Sequence, residues 1–133
     1  MRKIKGLSIF MLISLSLFGL TACGKEQEKA PDYEQISAEQ AKAIMDTEKD
    51  YIIIDARTDE EFAEGHIENA ILIPEYEIAE RAEDELTDKD ALILVYCRSG
   101  RRSKIASEEL VKLGYTNVKE FGVIIDWPYE VVK

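Results

Sequence analysis

The sequence predicts an α/β fold, in which a central, mostly parallel sheet is flanked by helices on both faces. Short apolar runs alternate along the chain with segments whose apolar residues recur at helical spacing. These runs are continuous instead of alternating with polar residues, which is typical of strands buried on both faces of a parallel sheet. Because a chain of 133 residues is long enough for one domain and no more, we expect residues 36–133 to form one domain.

The N-terminal segment is predicted to precede this domain as a targeting signal. A basic start (residues 1–5) is followed by an uncharged apolar stretch (residues 6–20) and then by small residues, which is the order of a secretory signal. The segment Leu20–Cys23 resembles a bacterial lipobox, whose cysteine is lipidated after cleavage. We therefore predict a lipoprotein signal peptide over residues 1–22 and a lipid anchor on Cys23, at the extracytoplasmic face of the bacterial cell membrane. An uncleaved signal anchor and ordinary secretion are the alternatives.

The chain is strongly acidic, with a formal net charge of -10 at pH 7. Removal of residues 1–22 would take away three basic residues and no acidic ones, which lowers the charge to about -13. Since such a surface repels phosphate groups, we expect no nucleic-acid partner, and we expect membrane contact through the lipid on Cys23.

The folded part is predicted to begin with a helix after a polar linker. Residues 23–35 are predicted to be a lipid-anchored tether. The helix begins after Ser37, because Gln40 follows three residues later and completes a capping box. Its apolar face is formed by Ala41, Ile44 and Met45. The apolar run Tyr51–Asp55 then predicts a buried parallel strand.

Two further helices and a strand are predicted in the middle of the chain. A second capping box, Thr58 with Glu61, predicts a helix that ends at Gly65. A short strand over residues 70–74 follows and is closed by proline. The next helix has an apolar face formed by Ile78, Ala79, Ala82 and Leu86.

The strongest strand signal is the run Ala91–Tyr96, and the helix after it is predicted to begin near Ser103. The aligned apolar residues of that helix are Ala106, Leu110 and Leu113. A last short strand is predicted over residues 118–121. Ligands of parallel sheets bind at the carboxyl ends of strands, and Asp55 and Cys97 both lie at such ends. If their strands are neighbours, the two residues share one edge of a site.

The segment Cys97–Arg102 carries the clearest chemistry, because three arginines surround a cysteine in an otherwise acidic chain. Gly100 permits a tight curl, so that several peptide N–H groups can point at one spot, as in an anion-binding nest. The N-terminus of the following helix adds further N–H donors. Because these groups favour a thiolate, Cys97 is predicted to be a nucleophile that handles an anionic substrate. A buried structural cysteine beside a solvated basic turn is the alternative.

The motifs of the chain resemble those of the rhodanese-type sulfurtransferases. The segment Cys97–Ser103 after an apolar strand is similar to the active-site loop of that family. Residues 52–74 resemble its strand, Asp-x-Arg, helix and Gly-His-Ile segment, and residues 118–129 resemble its closing glycine–tryptophan segment. The resemblance covers about residues 36–131 and implies a rhodanese-like domain.

The resemblance implies a sulfurtransferase reaction. Cys97 would take up a sulfane sulfur as a persulfide from thiosulfate or a persulfide donor, and pass it to cyanide, a thiol or a protein acceptor. The implied substrate-binding residues are Arg98, Ser99, Gly100, Arg101, Arg102 and Ser103. The reaction needs no metal and no organic cofactor, and we expect a monomer.

Several other residues are weighed beside this loop. Asp55 and Arg57 match the family's Asp-x-Arg, and a salt bridge that braces the site is favoured over a role in placing the donor. His66 is expected to anchor a turn and not to act as a base, and Trp127 to fill the core with its N–H bonded. Val123 stands where the family usually has the second of two glycines.

Two other functions remain open. Cysteine-loop phosphatases and arsenate reductases carry a Cys-x5-Arg loop, whereas Cys97 to Arg102 is Cys-x4-Arg and Ser103 stands at the sixth position. A sulfur-carrying or redox-sensing lipoprotein that binds a partner and turns over poorly also needs a reactive thiol. The loop length favours sulfur transfer over phosphatase chemistry and does not separate an enzyme from a carrier.

Overall fold

A computed structural model describes residues 32–133, and these residues form an α/β fold around one five-stranded sheet. The strands are β1 (Glu34–Gln35), β2 (Ile52–Asp55), β3 (Ile71–Leu72), β4 (Ile93–Cys97) and β5 (Val118–Val123). Their order in the sheet is β1-β5-β4-β2-β3, and every pair of neighbours is parallel. The predicted fold class is confirmed. The predicted signal peptide, Cys23 and residues 24–31 of the tether lie outside the described residues.

The helices follow the local signals in the sequence. They are α1 (Ala38–Thr47), α2 (Asp59–Glu64), α3 (Ile78–Glu85) and α4 (Arg101–Lys112), with single 3₁₀ turns at Glu75–Glu77 and Ile124–Asp126. Both predicted capping boxes are present, Ser37 with Gln40 and Thr58 with Glu61. Within residues 32–133, no helix is long and apolar enough to cross a membrane.

The sheet extends into the segment that the sequence assigned to the tether. Glu34 and Gln35 pair with Lys119 and Glu120 of β5, and an ion pair joins Lys119 to Glu34. Tyr33, just before this strand, is buried. A two-residue strand is too short to show a periodic pattern, so this strand was not predicted.

Two helices differ from the predicted pattern. Helix α4 begins at Arg101, two residues before the predicted start at Ser103, because Gly100 turns the chain with φ +104° immediately before it. In α3, Ile78 and Ala82 are buried, as is Leu86 directly after the helix, but Ala79 is exposed, so the predicted apolar face was one residue too wide.

The two faces of the sheet carry separate apolar clusters. Ile93, Val95 and Cys97 of β4 lie in the cluster under α3 and α4, whereas Leu94 and Tyr96 lie in the cluster that packs against α1. This alternation is the two-residue period of a strand. The side chain of Cys97 is therefore directed to the α4 face.

The carboxyl ends of β2, β4 and β5 meet at one edge of the sheet. Asp55 is in register with Tyr96, and Cys97 is in register with Val123. The strands of Asp55 and Cys97 are neighbours, which is the condition the sequence left open. The edge where ligands of parallel sheets usually bind is thus also the edge that holds the cysteine loop.

Candidate active site

The cysteine loop connects the end of β4 to the start of α4 through a sharp turn. Gly100 has φ +104°, a conformation that side chains disfavour, and its N–H donates a hydrogen bond of 3.0 Å to Cys97 Sγ. The sequence predicted that several N–H groups of the loop would point at one spot. Among the described residues, the Gly100 N–H is the one that donates to Sγ. The start of α4 at Arg101 places the positive end of the helix beside the same loop.

Cys97 is fully buried beneath its own loop. Its exposed fraction is 0%, and it belongs to the apolar cluster between the sheet and helices α3 and α4. Burial is what the alternative interpretation, a structural cysteine, predicted for this side chain. However, Sγ contacts polar groups, namely the Gly100 N–H and the hydroxyl of Ser103 at 3.3 Å. These contacts distinguish the thiol from an inert cysteine in purely apolar surroundings.

Ser103 joins Cys97 to a buried carboxyl group. Its Oγ lies 2.6 Å from Glu120 Oε1 and 3.0 Å from the carbonyl oxygen of Gly100. Burial raises the pKa of Glu120, although the hydrogen bond from Ser103 and the charge of Lys104 oppose this rise. Sequence reasoning missed Glu120. The available signal was a carboxylate inside a short, otherwise largely apolar strand.

The three loop arginines are in different situations. Arg98 and Arg101 are exposed, whereas Arg102 is partly buried and forms a bidentate pair with Glu61, at 2.7 Å and 2.8 Å. The hydrogen bond from Arg102 lowers the pKa of Glu61 to about 2, and the same bond raises the pKa of Arg102. Glu61 offsets part of the charge of Arg102, which still acts on Cys97, and Arg98 and Arg101 add exposed positive charge at the loop.

Asp55 and Arg57 form the predicted salt bridge. Arg57 Nε and Nη2 donate to Asp55 at 3.0 Å and 2.7 Å, Tyr96 donates its hydroxyl to Asp55 at 2.6 Å, and Arg57 also binds the carbonyl of Gly65 at 2.7 Å. Burial acts to lower the pKa of Arg57, but its bonds with Asp55 raise it overall. Burial and the Asp55 charge raise the pKa of Tyr96. The hydrogen bond from Tyr96 to Asp55 links β4 to β2, and Arg57 links the end of β2 to Gly65 after α2. The effect of the pair on the reaction stays a prediction.

His66 lies just after α2, and Trp127 packs against the apolar cluster on the α1 side of the sheet. His66 Nδ1 donates to the carbonyl of Phe62 at 2.9 Å, its ring stacks on Phe62, and its backbone pairs with Val132, as a turn anchor requires. Trp127 packs against Phe121, as a core residue does. Its buried Nε1 has no hydrogen-bond partner among residues 32–133, so the prediction of a bonded N–H was wrong.

The closing segment needs glycine at one position only. Gly122 has φ +68°, whereas Val123 is extended with φ -129°. A Cβ at Gly122 would lie 3.0 Å from Glu120 Oε1 and 3.6 Å from Gly100 Cα, so this glycine allows β5 to approach the cysteine loop closely. Val123 is therefore compatible with the backbone at the place where the family usually has glycine.

The sheet is parallel, and a cysteine lies at the carboxyl end of its central strand, before a tight loop and a helix. This arrangement defines the class of α/β proteins that carry a cysteine in the loop between a strand and a helix. The family model of the rhodanese-like domain matches residues 37–121, and the chain belongs to this family. Among residues 32–133, no group of three or more His, Cys, Asp or Glu side chains is placed to hold a metal ion.

The relatives of the chain include proteins named as sulfurtransferases and one named as a putative sulfur carrier. It is 39% identical over 80 residues to thiosulfate sulfurtransferase PspE of Escherichia coli (strain K12), covering 60% of this chain and 77% of that protein. It is 35% identical over 91 residues to the putative sulfur carrier protein YrkF of Bacillus subtilis (strain 168), covering 68% of this chain and 48% of that protein. Among solved structures, a rhodanese with anions from E. coli matches with a TM-score of 0.59 and 37% identity, covering 62% of this chain and 98% of that one. These relatives support sulfur transfer as the general activity.

Proposed function

We propose that the protein is a sulfurtransferase that moves a sulfane sulfur from thiosulfate or a persulfide donor to a thiol or cyanide acceptor. The observation that carries this proposal is the polar environment of Cys97 Sγ, which faces the Gly100 N–H at 3.0 Å in a rhodanese-like domain. A hydrogen bond to a charged atom is stronger than one to a neutral atom, so this N–H is placed to stabilise negative charge that the sulfur carries during the reaction.

The reaction has two steps at Cys97. In the first, the thiolate attacks the outer sulfur of thiosulfate, the sulfur–sulfur bond of the donor breaks, and its electron pair leaves with sulfite. Cys97 then carries a persulfide anion. In the second, a thiolate or cyanide attacks the terminal sulfur, and the bond to Sγ breaks to return the Cys97 thiolate.

The other loop residues guide the donor to the sulfur. Arg98 and Arg101 are exposed and attract an anion to the loop, while the start of α4 adds a positive potential. Because the exposed fraction of Cys97 is 0%, the loop over residues 98–100 must move to admit the donor. Movement of a short loop is a common step in enzyme turnover.

The direct test is mass spectrometry of the purified full chain after incubation with thiosulfate. We expect one added sulfur atom on the tryptic peptide 90–98, which contains Cys97 and separates it from Cys23. Cys97→Ser is the matched control and should carry no added sulfur. The proposal fails if wild-type Cys97 stays unmodified while the protein is folded.

A sulfur carrier with little turnover is the second candidate, because Cys97 is fully buried and YrkF is named a putative sulfur carrier. Steady-state thiocyanate formation from thiosulfate and cyanide separates the two. Repeated turnover supports the enzyme, whereas a sulfur adduct on Cys97 with negligible thiocyanate supports the carrier. Phosphate release from an aryl phosphate without a sulfur adduct would instead indicate a cysteine-loop phosphatase.

The site of action proposed with this function is the extracytoplasmic face of the cell membrane, through a lipid on Cys23. The order of the N-terminal segment supports it. Inhibition of lipoprotein signal processing by a globomycin-type compound should accumulate the unprocessed chain. Cys23→Ser should move the protein out of the membrane fraction or leave it unprocessed, and an unchanged membrane-bound mature form would contradict the anchor.

A further inference from the structure

A continuous line of polar contacts runs from β5 to Cys97. Glu120 Oε1 lies 2.6 Å from Ser103 Oγ, and Ser103 Oγ lies 3.3 Å from Cys97 Sγ. All three side chains are buried, with exposed fractions of 4% for Glu120 and 0% for Ser103 and Cys97. The rhodanese reaction described above makes no use of Glu120, so its burial beside the sulfur calls for an explanation.

The Ser103 hydroxyl has one proton and several acceptors within reach. Glu120 Oε1 and the carbonyl oxygen of Gly100 accept from it, while Ser103 Oγ accepts from the Cys97 thiol, and Sγ becomes a third acceptor when the thiol is ionised. If Glu120 is ionised, its carboxylate takes the Ser103 proton, because a charged acceptor binds a hydroxyl more strongly than a neutral one. If Glu120 is protonated, it donates to Ser103 Oγ, and the Ser103 proton is free to donate to the thiolate.

Two negative charges in this network would be costly. Glu120 and Cys97 would then be buried anions separated by one hydroxyl group, and like charges at such separations disfavour joint ionisation. Among residues 32–133, the ionisable groups that act on this network are Cys97 on β4, which reaches Glu120 through Ser103, Tyr33 before β1, and Lys104 and Arg102 on α4, of which Arg102 acts on Cys97. Lys104 is exposed, and its positive charge acts to lower the pKa of Glu120. Burial nevertheless raises this pKa overall.

We propose that Glu120 and Cys97 share one proton through Ser103, so that Cys97 is a thiolate only for the part of the time in which Glu120, a positioning residue, holds that proton. This inference rests on the proposed function, in which the thiolate is the reactive form. The carboxylic acid then aims the Ser103 hydroxyl at Sγ. Gly122 leaves the space for this arrangement, since a Cβ there would lie 3.0 Å from Glu120 Oε1.

The test is the pH profile of Cys97 alkylation by iodoacetamide, measured on the full chain and read on the peptide 90–98 by mass spectrometry. In Glu120→Gln, the neutral amide donates to Ser103 at every pH and adds no negative charge. We therefore expect the midpoint of alkylation to move to lower pH by about one unit, which makes alkylation about tenfold faster below the wild-type midpoint. A merely structural role for Glu120 would leave this midpoint unchanged.

Two control variants make the result specific. Glu108→Gln removes the same charge from an exposed position on α4, and its profile should match the wild type. Ser103→Ala removes the connecting hydroxyl, so adding Glu120→Gln to it should shift the midpoint by much less than in the wild-type background. An unchanged midpoint in Glu120→Gln, or an equal shift in Glu108→Gln, overturns the proposal.

A second measurement covers the case in which Glu120→Gln does not fold. The carboxyl carbon of Glu120, followed by NMR in the ¹³C-labelled full chain, should titrate in two steps when Cys97 is present and in one step in Cys97→Ser. A single step in both proteins refutes a shared proton. Failure of the proposed function would appear separately, as the absence of a sulfur adduct on Cys97 with the alkylation shift intact.

Discussion

Gly100 is the residue whose backbone conformation sets the geometry around Cys97. Its φ of +104° directs its N–H to Sγ, and it lets α4 begin at the next residue. A Cβ at Gly100 would meet Val123 Cγ2 at 4.0 Å, which is an ordinary contact. A side chain at this position is therefore opposed by the backbone conformation and not by a lack of space.

Gly100→Ala should lower both stability and sulfur uptake. Holding alanine at a positive φ costs about 1 kcal/mol, and relaxation of the strain would move the N–H away from Sγ. Losing one hydrogen bond to a charged sulfur should slow sulfur uptake from thiosulfate by about tenfold. Urea unfolding and mass spectrometry of the Cys97 peptide measure the two effects.

Gly114→Ala is the matched control for that substitution. Gly114 also has a positive φ, +95°, and a Cβ there would meet nothing within 4 Å. The stability loss should be similar, because the strain is similar, but sulfur uptake by the folded protein should stay at the wild-type rate. If Gly114→Ala slows uptake as much as Gly100→Ala, the loop N–H has no special role.

At the scale of elements, the pair between Glu61 and Arg102 joins the first turn of α2 to the first turn of α4. Glu61 also caps α2 by accepting the N–H of Thr58. The pair therefore holds the start of α4 next to α2. This is the end of α4 that follows directly after the cysteine loop. It also offsets part of one of the loop's positive charges.

Glu61→Gln should reveal this pair through the pH dependence of stability. The pKa of Glu61 is lowered from its ordinary value of 4.5 to about 2, so its stabilising effect is present above pH 4.5 and is lost as the pH falls towards 2. Glutamine preserves the capping box, so the difference isolates the ion pair. Above pH 4.5 we expect the variant to be less stable by about 1 kcal/mol in urea unfolding, with a difference that shrinks on acidification.

The exposed Glu64 on the same helix provides the comparison. Glu64→Gln removes the same charge without touching Arg102, so its unfolding free energy should follow the wild-type pH profile. A constant difference between wild type and Glu61→Gln from pH 7 to pH 2 would mean that the carboxylate charge contributes nothing to the link between the two helices.

The elements also show how far the sequence could predict the structure. The capping boxes at Ser37 and Thr58 were readable because each uses residues three positions apart. The contacts of Glu61 with Arg102 and of Ser103 with Glu120 span 41 and 17 positions, and no local pattern encodes them. The cysteine loop itself was predictable, whereas the partners that surround it depend on how the strands and helices pack.

At the scale of the whole molecule, two opposing fields act on an anionic donor. The net charge of -10 repels thiosulfate, while Arg98 and Arg101 attract it at the loop. Local attraction can dominate, because at 0.1 M salt the more distant charges are screened over about 10 Å. Arg102 adds less to this attraction, since Glu61 offsets part of its charge.

The double variant Arg98→Gln/Arg101→Gln should therefore lose much of its reactivity towards thiosulfate. We expect sulfur uptake to fall by about tenfold at low ionic strength and by less at high ionic strength, because added salt screens the lost attraction. Alkylation by iodoacetamide, which is uncharged, should fall much less than sulfur uptake. Both rates are measured on the Cys97 peptide as a function of salt concentration.

A second double variant separates the local field from the net charge. Lys49 and Lys112 are exposed, and both lie towards the amino ends of the strands, at the opposite edge of the sheet from Cys97. Lys49→Gln/Lys112→Gln makes the whole molecule more negative by the same amount as the arginine substitutions. If it slows thiosulfate uptake equally, the net charge controls access of the donor. If uptake stays near the wild-type rate, the two loop arginines overcome the repulsion of the acidic surface.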